Sequence, residues 1–295
     1  MKKIDLVYIL GNGSRWRNNE IRYSLRSVEK NLNIGKIFIV GEYPSWITGA
    51  IHIPAADIDK NKQINARAKY LVAAKDKRIS EDFILMNDDF FILKPIQAIP
   101  YYSRGTIEHM MNQHPTKGGY YYNSLKDTKE VLNEMGVVFP IDFEIHAPII
   151  FNKDKLISTI EMIGTKKAYS FRSCYGNLQN VEAKKTIDFK AANLAEFTYQ
   201  TNRSPAYLSI TDSLVAAPEF RNWIRRTFPN PSKYETDRGL GSDILPGGPM
   251  CSLKYYVKKT FIYFGKTHCI GEIIPCEVMD EIRNNPNMKD VWEFK

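Results

Sequence analysis

The chain reads as an α/β protein built on a Rossmann-type, mostly parallel sheet flanked by helices, with a small irregular C-terminal extension. Three observations carry that reading. Over the first ninety residues, apolar runs of strand length alternate with segments of helical period, the pattern that encodes parallel strands joined by crossover helices. Several of these runs stop at glycine or Asn/Asp turns, where a strand passes into a loop. Beyond Lys94-Pro95 the alternation gives way to sparser elements punctuated by proline and glycine.

Residues 4–10 form a first buried strand, closed by Gly11-Asn12-Gly13-Ser14. From Asn19 to Leu32 the period turns helical, with Ile21, Leu25, Val28 and Leu32 at i, i+4, i+7 and i+11 and Arg22, Arg26 and Glu29-Lys30 on the other sides. Lys36–Val40 is a second strand and Ala50–Pro54 a short third. Residues 62–75 make a second helix carrying Ala66, Tyr70 and Ala73-Ala74, and the apolar run Asp82–Met86 follows as a strand. Further on, Gly118-Gly119-Tyr120-Tyr121-Tyr122 reads as loop, Thr128–Met135 as a helix ending at Gly136, Ile149–Phe151 as a strand and Lys153–Ile163 as a helix ending at Gly164. The stretch from Phe228 to Met250 reads as irregular. Its last turn, Pro246-Gly247-Gly248-Pro249, divides a domain over 1–245 from an extension over 246–295 packed on it.

Bulk numbers narrow the class. A chain of 295 residues, 43% hydrophobic, can bury a sizeable core. No stretch approaches the roughly 18 apolar residues of a membrane span, and the N-terminus runs straight into a strand-like segment, so neither a span nor a signal peptide is expected. Cys174, Cys251, Cys269 and Cys276 are too scattered for a disulfide framework, and a reducing cytoplasm fits them. The net charge of +8 favours polyanions: nucleotide phosphates, nucleic acid or acidic polysaccharide. Basic groups gather at Lys166-Lys167, Lys184-Lys185, Arg221 with Arg225-Arg226 and Lys254 with Lys258-Lys259, interleaved with aromatics such as Trp223 and Tyr255-Tyr256. Binders of single strands or flipped bases use that mixture; a solvated face of a basic protein is the plainer alternative.

The chemistry centres on Asn87-Asp88-Asp89-Phe90-Phe91, directly after the fourth strand. Adjacent carboxylates at the carboxyl edge of a sheet repel one another unless a cation lies between them, and that edge is where open α/β sheets bind ligands. Oxygen donors suit Mg²⁺ or Mn²⁺ holding a diphosphate. The competing reading is an Asp-rich turn.

The run Arg17–Asn31, with Asn-Asn-Glu-Ile-Arg-Tyr-Ser-Leu-Arg-Ser at its centre, closely resembles a helix motif of the Stealth-type sugar-phosphate transferases, and Asn87–Phe91 resembles their downstream Asn-Asp-Asp motif. Lys36–Val40 and Pro44-Ser45-Trp46 between them also look like that family, so the likeness covers roughly the first 95 residues. The loop after the first strand departs from the family, which usually has Trp-Val-Asp-Gly there. The chain therefore looks like a wider relative, a GT-A-like glycosyltransferase. It also resembles, more weakly, sugar transferases found in phage genomes, some of which modify DNA bases.

This resemblance implies a nucleotide-sugar donor, a UDP-sugar foremost, and a Mn²⁺ or Mg²⁺ ion on Asp88 and Asp89, with Asp89 the more direct ligand. The Gly11-Asn12-Gly13 loop offers backbone N–H groups to phosphate, Trp16 a stacking face for a base, and Arg15 and Arg22 bidentate phosphate contacts. Arg26 is left between a phosphate contact and an ion pair with Glu29 or Asp82, the alternative that also stands for Arg22. Asn65, Arg67 and Lys69 lie where comparable enzymes reach the nucleotide, and Arg172 in Arg172–Asn177 offers a second phosphate or sugar contact. On the acceptor side, Asp142, Glu144 and His146 alternate between Pro140 and Pro148 on one face of an extended segment, suiting a general base and its orienting partner. The wet side of an edge strand is the plainer account. Asp212 and His268 are lesser candidates.

Three functions follow as expectations. The first is transfer of a sugar to a hydroxyl acceptor, a hydroxylated DNA base or a glycan. The second is Stealth-type transfer of a sugar phosphate with release of a nucleoside monophosphate. The third is binding of a polyanion without catalysis.

Overall fold

The computed structural model describes residues 3–236 except 15, 17 and 115–117, and beyond them the backbone of four short strands. The chain divides into two compact units, 1–235 and 236–295.

In the first unit, β1 (Asp5–Leu10), α1 (Asn19–Asn31), β2 (Ile37–Gly41), β3 (Ile51–Ile53), α2 (Lys62–Lys75), β4 (Asp82–Asn87) and β5 (Phe90–Ile92) follow in sequence. Next come β6 (Tyr102–Ser103), β7 (Gly105–Thr106), α3 (Ile107–Gln113), α4 (Tyr120–Glu134), β8 (Ile141–Asp142), β9 (Ile149–Asn152), α5 (Lys153–Ile163) and α6 (Phe171–Leu178). The unit closes with β10 (Lys184–Lys185), β11 (Lys190–Ala191), α7 (Leu194–Asn202), β12 (Tyr207–Ile210), α8 (Asp212–Val215) and α9 (Pro218–Thr227).

The central sheet has the order β3-β2-β1-β4-β9. Its first four strands are parallel, and β9 joins the edge antiparallel to β4. The mostly parallel sheet expected from the alternation is present. Period-2 geometry sorts its side chains. Leu6, Tyr8, Leu10, Ile37, Ile39, Ile84 and Met86 face α1 through Ile21, Leu25 and Val28, while Val7, Phe38, Val40, Phe83 and Leu85 face the layer of α2, α4, α5 and α6. One face of a smaller sheet, β11-β12-β5, builds a third core in which Phe91, Leu208 and Ile210 pack with Trp16, Tyr23, Phe220 and Ile224.

Helix α1 is therefore packed on two sides, and this explains its polar residues. Ser24 Oγ donates to Phe90 O at 2.6 Å, Ser27 Oγ accepts from Ile92 N at 3.0 Å, and Asn31 Nδ2 donates to Ile92 O at 2.6 Å. Buried backbone groups need such partners. The helix thus holds β5 by its backbone and, with it, the two-residue turn Asp88-Asp89 that leads from the central sheet into the smaller one.

Two expectations are corrected. The tyrosine run belongs to α4, which begins at Tyr120 after Gly119 as N-cap; Tyr121 packs on the core beside Leu125 and Leu132, so burial extends the helix by two turns. The segment between Pro140 and Pro148 is a strand only at its start. Ile145 N bonds Phe143 O and Ala147 N bonds Ile145 O, a succession of tight three-residue turns. Among the described residues, the second unit holds two antiparallel pairs, β13 (Tyr255–Val257) with β16 (Trp292–Phe294) and β14 (Phe261–Tyr263) with β15 (Lys266–His268).

Candidate functional site

A cavity of about 670 Å³ opens at the carboxyl ends of β1 and β4. Its position follows from the topology, because loops leaving parallel strands at that edge diverge and leave a crevice. Gly11, Asn12 and Gly13 after β1, Asn65 and Lys69 on α2, and Asp88 and Asp89 after β4 all line it. A Cβ on Gly13 would meet nothing within 4 Å and one on Gly11 only Asp57 Oδ2 at 3.8 Å. These glycines leave the loop backbone uncovered toward the cavity. Ser14 shapes the loop: its Oγ accepts from Trp16 N at 3.1 Å and Asn18 N at 2.7 Å and donates to Glu20 Oε2 at 2.7 Å.

The lining is strongly charged. Glu20, Asp57, Asp59, Asp88, Asp89 and Asp212 contribute carboxylates, and Lys60, Lys62, Lys69 and Lys190 contribute ammonium groups. At the acidic end, burial pushes the Asp88 carboxyl up to about 8, aided by the charges of Asp89 and Glu20. Burial also raises Glu20, with Asp212 and Asp89 adding repulsion. Asp89 is better compensated: its Oδ2 accepts from Ser209 Oγ at 2.9 Å, and Lys190 Nζ stands 3.9 Å away. Opposite, Lys69 Nζ donates to Leu10 O at 2.9 Å and pairs with Asp57 Oδ1 at 2.6 Å. Asn65 braces its neighbours, accepting from Ile58 N and Asp59 N and donating to Asp59 O.

A carboxylate pushed up by burial and by neighbouring carboxylates, as Asp88 is, suits a hard divalent cation, which relieves the repulsion. Among the described residues no three His, Cys, Asp or Glu side chains converge to hold a metal ion by themselves. The fit is that of an ion bound by one or two carboxylates, with water and substrate phosphates completing its shell, as is usual for Mg²⁺.

Several expected residues lie elsewhere. Trp16 is buried in the third core, stacked on Tyr23 at 5.4 Å and edge-on to Phe220, so its ring faces protein and not a base. Arg22 is fully buried under Trp46, its Nη1 2.6 Å from Glu235 Oε2. Arg26 grips the same carboxylate through Nε at 2.8 Å and Nη2 at 2.7 Å. These arginines close the domain instead of meeting phosphate, and their partner is neither Glu29 nor Asp82. Arg172 Nη1 donates to Ile145 O and Ala147 O, both at 2.7 Å, and so fixes the turns around His146. Arg67 Nη2 bonds Thr165 O and Lys167 O. Arg15, and the side chains of Cys251, Cys269, Cys276 and His268, fall outside the described residues.

Asp142, Glu144 and His146 form a second polar cluster. Asp142, fully buried, accepts from Arg104 Nε at 2.6 Å and Ser173 Oγ at 3.2 Å. Glu144 Oε1 accepts from Ser173 N at 3.3 Å; burial raises its pKa against the opposing pull of Arg172. His146 turns away from both and bonds Asp188 through Nδ1 at 2.7 Å. Its ring stands edge-on to Phe90, 6.0 Å between centroids, and Phe90 directly follows Asp89. Glu20, Asp57, Lys190 and Asp188 were not singled out from the sequence. Glu20 lies inside the helix motif and carries the clearest signal among them.

No protein-family model and no curated protein sequence matches the chain. Among solved structures it is similar to the apo form of WbbM, described as a bifunctional glycosyltransferase, with a TM-score of 0.44 and 9% identity over 71% of this chain and 46% of that one. It is also similar to the glycosyltransferase GlyE of Streptococcus pneumoniae TIGR4 in its apo form, with a TM-score of 0.36 and 11% identity over 70% of this chain and 54% of that one. The chain thus spans about half the length of these structures.

Proposed function

We propose that the chain is a GT-A-like, metal-dependent glycosyltransferase that moves a sugar from a nucleotide-sugar, foremost a UDP-sugar, to a hydroxyl acceptor. The observation that carries this reading is the Asp88-Asp89 turn, facing a cavity whose other walls bring lysines and an uncovered glycine loop. That juxtaposition matches a diphosphate held between a cation and ammonium groups. Asp88 and Asp89 would hold Mn²⁺ or Mg²⁺, which when bound offsets the charge growing on the departing diphosphate.

Lys190, Lys60 and Lys62 would meet phosphate oxygens, and the Gly11–Gly13 backbone would lie against the nucleotide. The acceptor O–H attacks the anomeric carbon, the bond from that carbon to the diphosphate oxygen breaks, and His146 takes the acceptor proton. A hydroxylated DNA base and a glycan both present such a hydroxyl, and the basic surface of the chain attracts either if the polymer is acidic.

Thermal unfolding with UDP and UDP-sugars, with and without Mn²⁺, tests the site. A ligand at 100 times its dissociation constant adds about 2.7 kcal/mol, a shift of a few degrees in a chain of this size. Release of UDP on turnover supports glycosyl transfer; UMP would mark the Stealth-type reaction instead. No nucleotide-dependent shift, with salt-sensitive polyanion binding that survives Asp89→Ala, would leave a binding protein.

A further inference from the structure

We infer that Asp188 is a positioning residue that fixes His146 as the proton acceptor for the reacting hydroxyl; the inference rests on the transferase reading above. The Asp188 carboxylate holds its neighbour at two points. Oδ1 accepts from the His146 backbone N at 2.9 Å and Oδ2 lies 2.7 Å from the ring Nδ1. A carboxylate at that distance requires Nδ1 to carry the proton, so the neutral ring presents its lone pair at Nε2. Nε2 has no hydrogen-bond partner among the described residues, and the side chain is 30% exposed.

Neither side chain lines the cavity, but each adjoins a residue next to one that does. The His146 ring abuts Phe90, next to Asp89, and Asp188 sits two residues before Lys190, which lines the cavity and faces Asp89. The pair is embedded in opposing charges. Arg104 Nη1 is 3.6 Å from Asp188 Oδ2 while its Nε bonds Asp142. Arg172 and Glu144 flank the turns that carry His146. Burial would raise the Asp188 carboxyl, but the hydrogen bonds from the His146 ring and backbone N–H, together with the charge of Arg104, hold it well below the usual carboxylate range. It therefore stays an acceptor throughout the neutral range.

The test is made on the full chain with UDP-sugar turnover and with ring-nitrogen NMR of the histidines. In the wild type, His146 should show the Nδ1–H tautomer. Asp188→Asn should allow the Nε2–H tautomer and lower kcat about 100-fold, the scale of a general base, with the KM for the donor unchanged. Asp188→Asn combined with His146→Ala should be no slower than His146→Ala alone, because the first residue acts through the second. Additive losses, a changed donor KM at constant kcat, or an unaltered tautomer in Asp188→Asn would overturn the assignment. If the wild type shows no metal-dependent UDP shift, it is the transferase reading that fails. The tautomer measurement still decides whether Asp188 orients His146.

Discussion

Arg22 Nη1 lies 2.6 Å from Glu235 Oε2, with both side chains fully buried, so the helix that most resembles a transferase motif is locked to a residue 213 positions later. Arg26 completes the clamp on the same carboxylate and also donates to Phe228 O. Removing one member of a buried ion network leaves the rest desolvated and uncompensated, which costs about 3–5 kcal/mol. Glu235→Ala should lose stability on that scale in urea unfolding, and a midpoint equal to the wild type's would show the clamp to be dispensable. The sign in pH also follows. Burial opposes ionisation of Glu235, but the arginines win and lower its pKa. Its contribution is therefore full above the unfolded-state value and fades as pH falls through the lower folded-state value.

Asp88 behaves in the opposite way. A carboxyl raised to about 8 by burial and by Asp89 and Glu20 favours the folded state when protonated. Its contribution is complete below the unfolded-state value and disappears as pH rises through about 8. Without added metal, the melting temperature should decline between pH 5 and pH 9. Asp88→Asn should flatten that decline and melt a few degrees higher at pH 9, while abolishing any Mn²⁺-dependent shift. A steeper decline in the variant would contradict the charge assignment.

Asp89 is held by Ser209 and faces Lys190. It is half-buried at the surface of a turn, so truncation leaves the core intact. Asp89→Ala should abolish turnover while keeping the wild-type circular dichroism spectrum and a cooperative melt. Comparable turnover in the variant would remove the metal role.

Two glycines provide an internal contrast. Gly41 ends β2 at φ +115°, and a Cβ there would sit 2.1 Å from Leu10 O. Gly41→Ala should therefore destabilise by about 1–3 kcal/mol. Gly13 has open space beside it, so Gly13→Ala should leave the melting temperature unchanged and weaken UDP binding several-fold by calorimetry. Unchanged affinity would move the nucleotide away from this loop.

The sequence by itself determined the strands and helices of the first ninety residues, because their information is local. Leu6, Tyr8 and Leu10 alternate with Val7 and Ile9 so that both faces of β1 are apolar. Ile21, Leu25 and Val28 make one helix stripe, and the Asp pair ends β4 whatever lies around it. The same locality explains the misreadings. Arg22 looks exposed when one apolar stripe is taken as the whole buried surface of α1, although Trp46 and Glu235 cover it, and Trp16 looks free on its loop before the helix. The smaller sheet built from β5, β11 and β12 buries Trp16 together with Tyr23 of the helix, and no local period announces it. Only the tertiary structure brought Glu20, Asp57, Lys190 and Asp212 to the Asp88-Asp89 turn, Glu235 to Arg22, and Asp188 to His146. Those meetings depend on how sheet order and loop paths return distant segments to one edge. A side chain's partner is set by that return path and not by the periodicity of its own element.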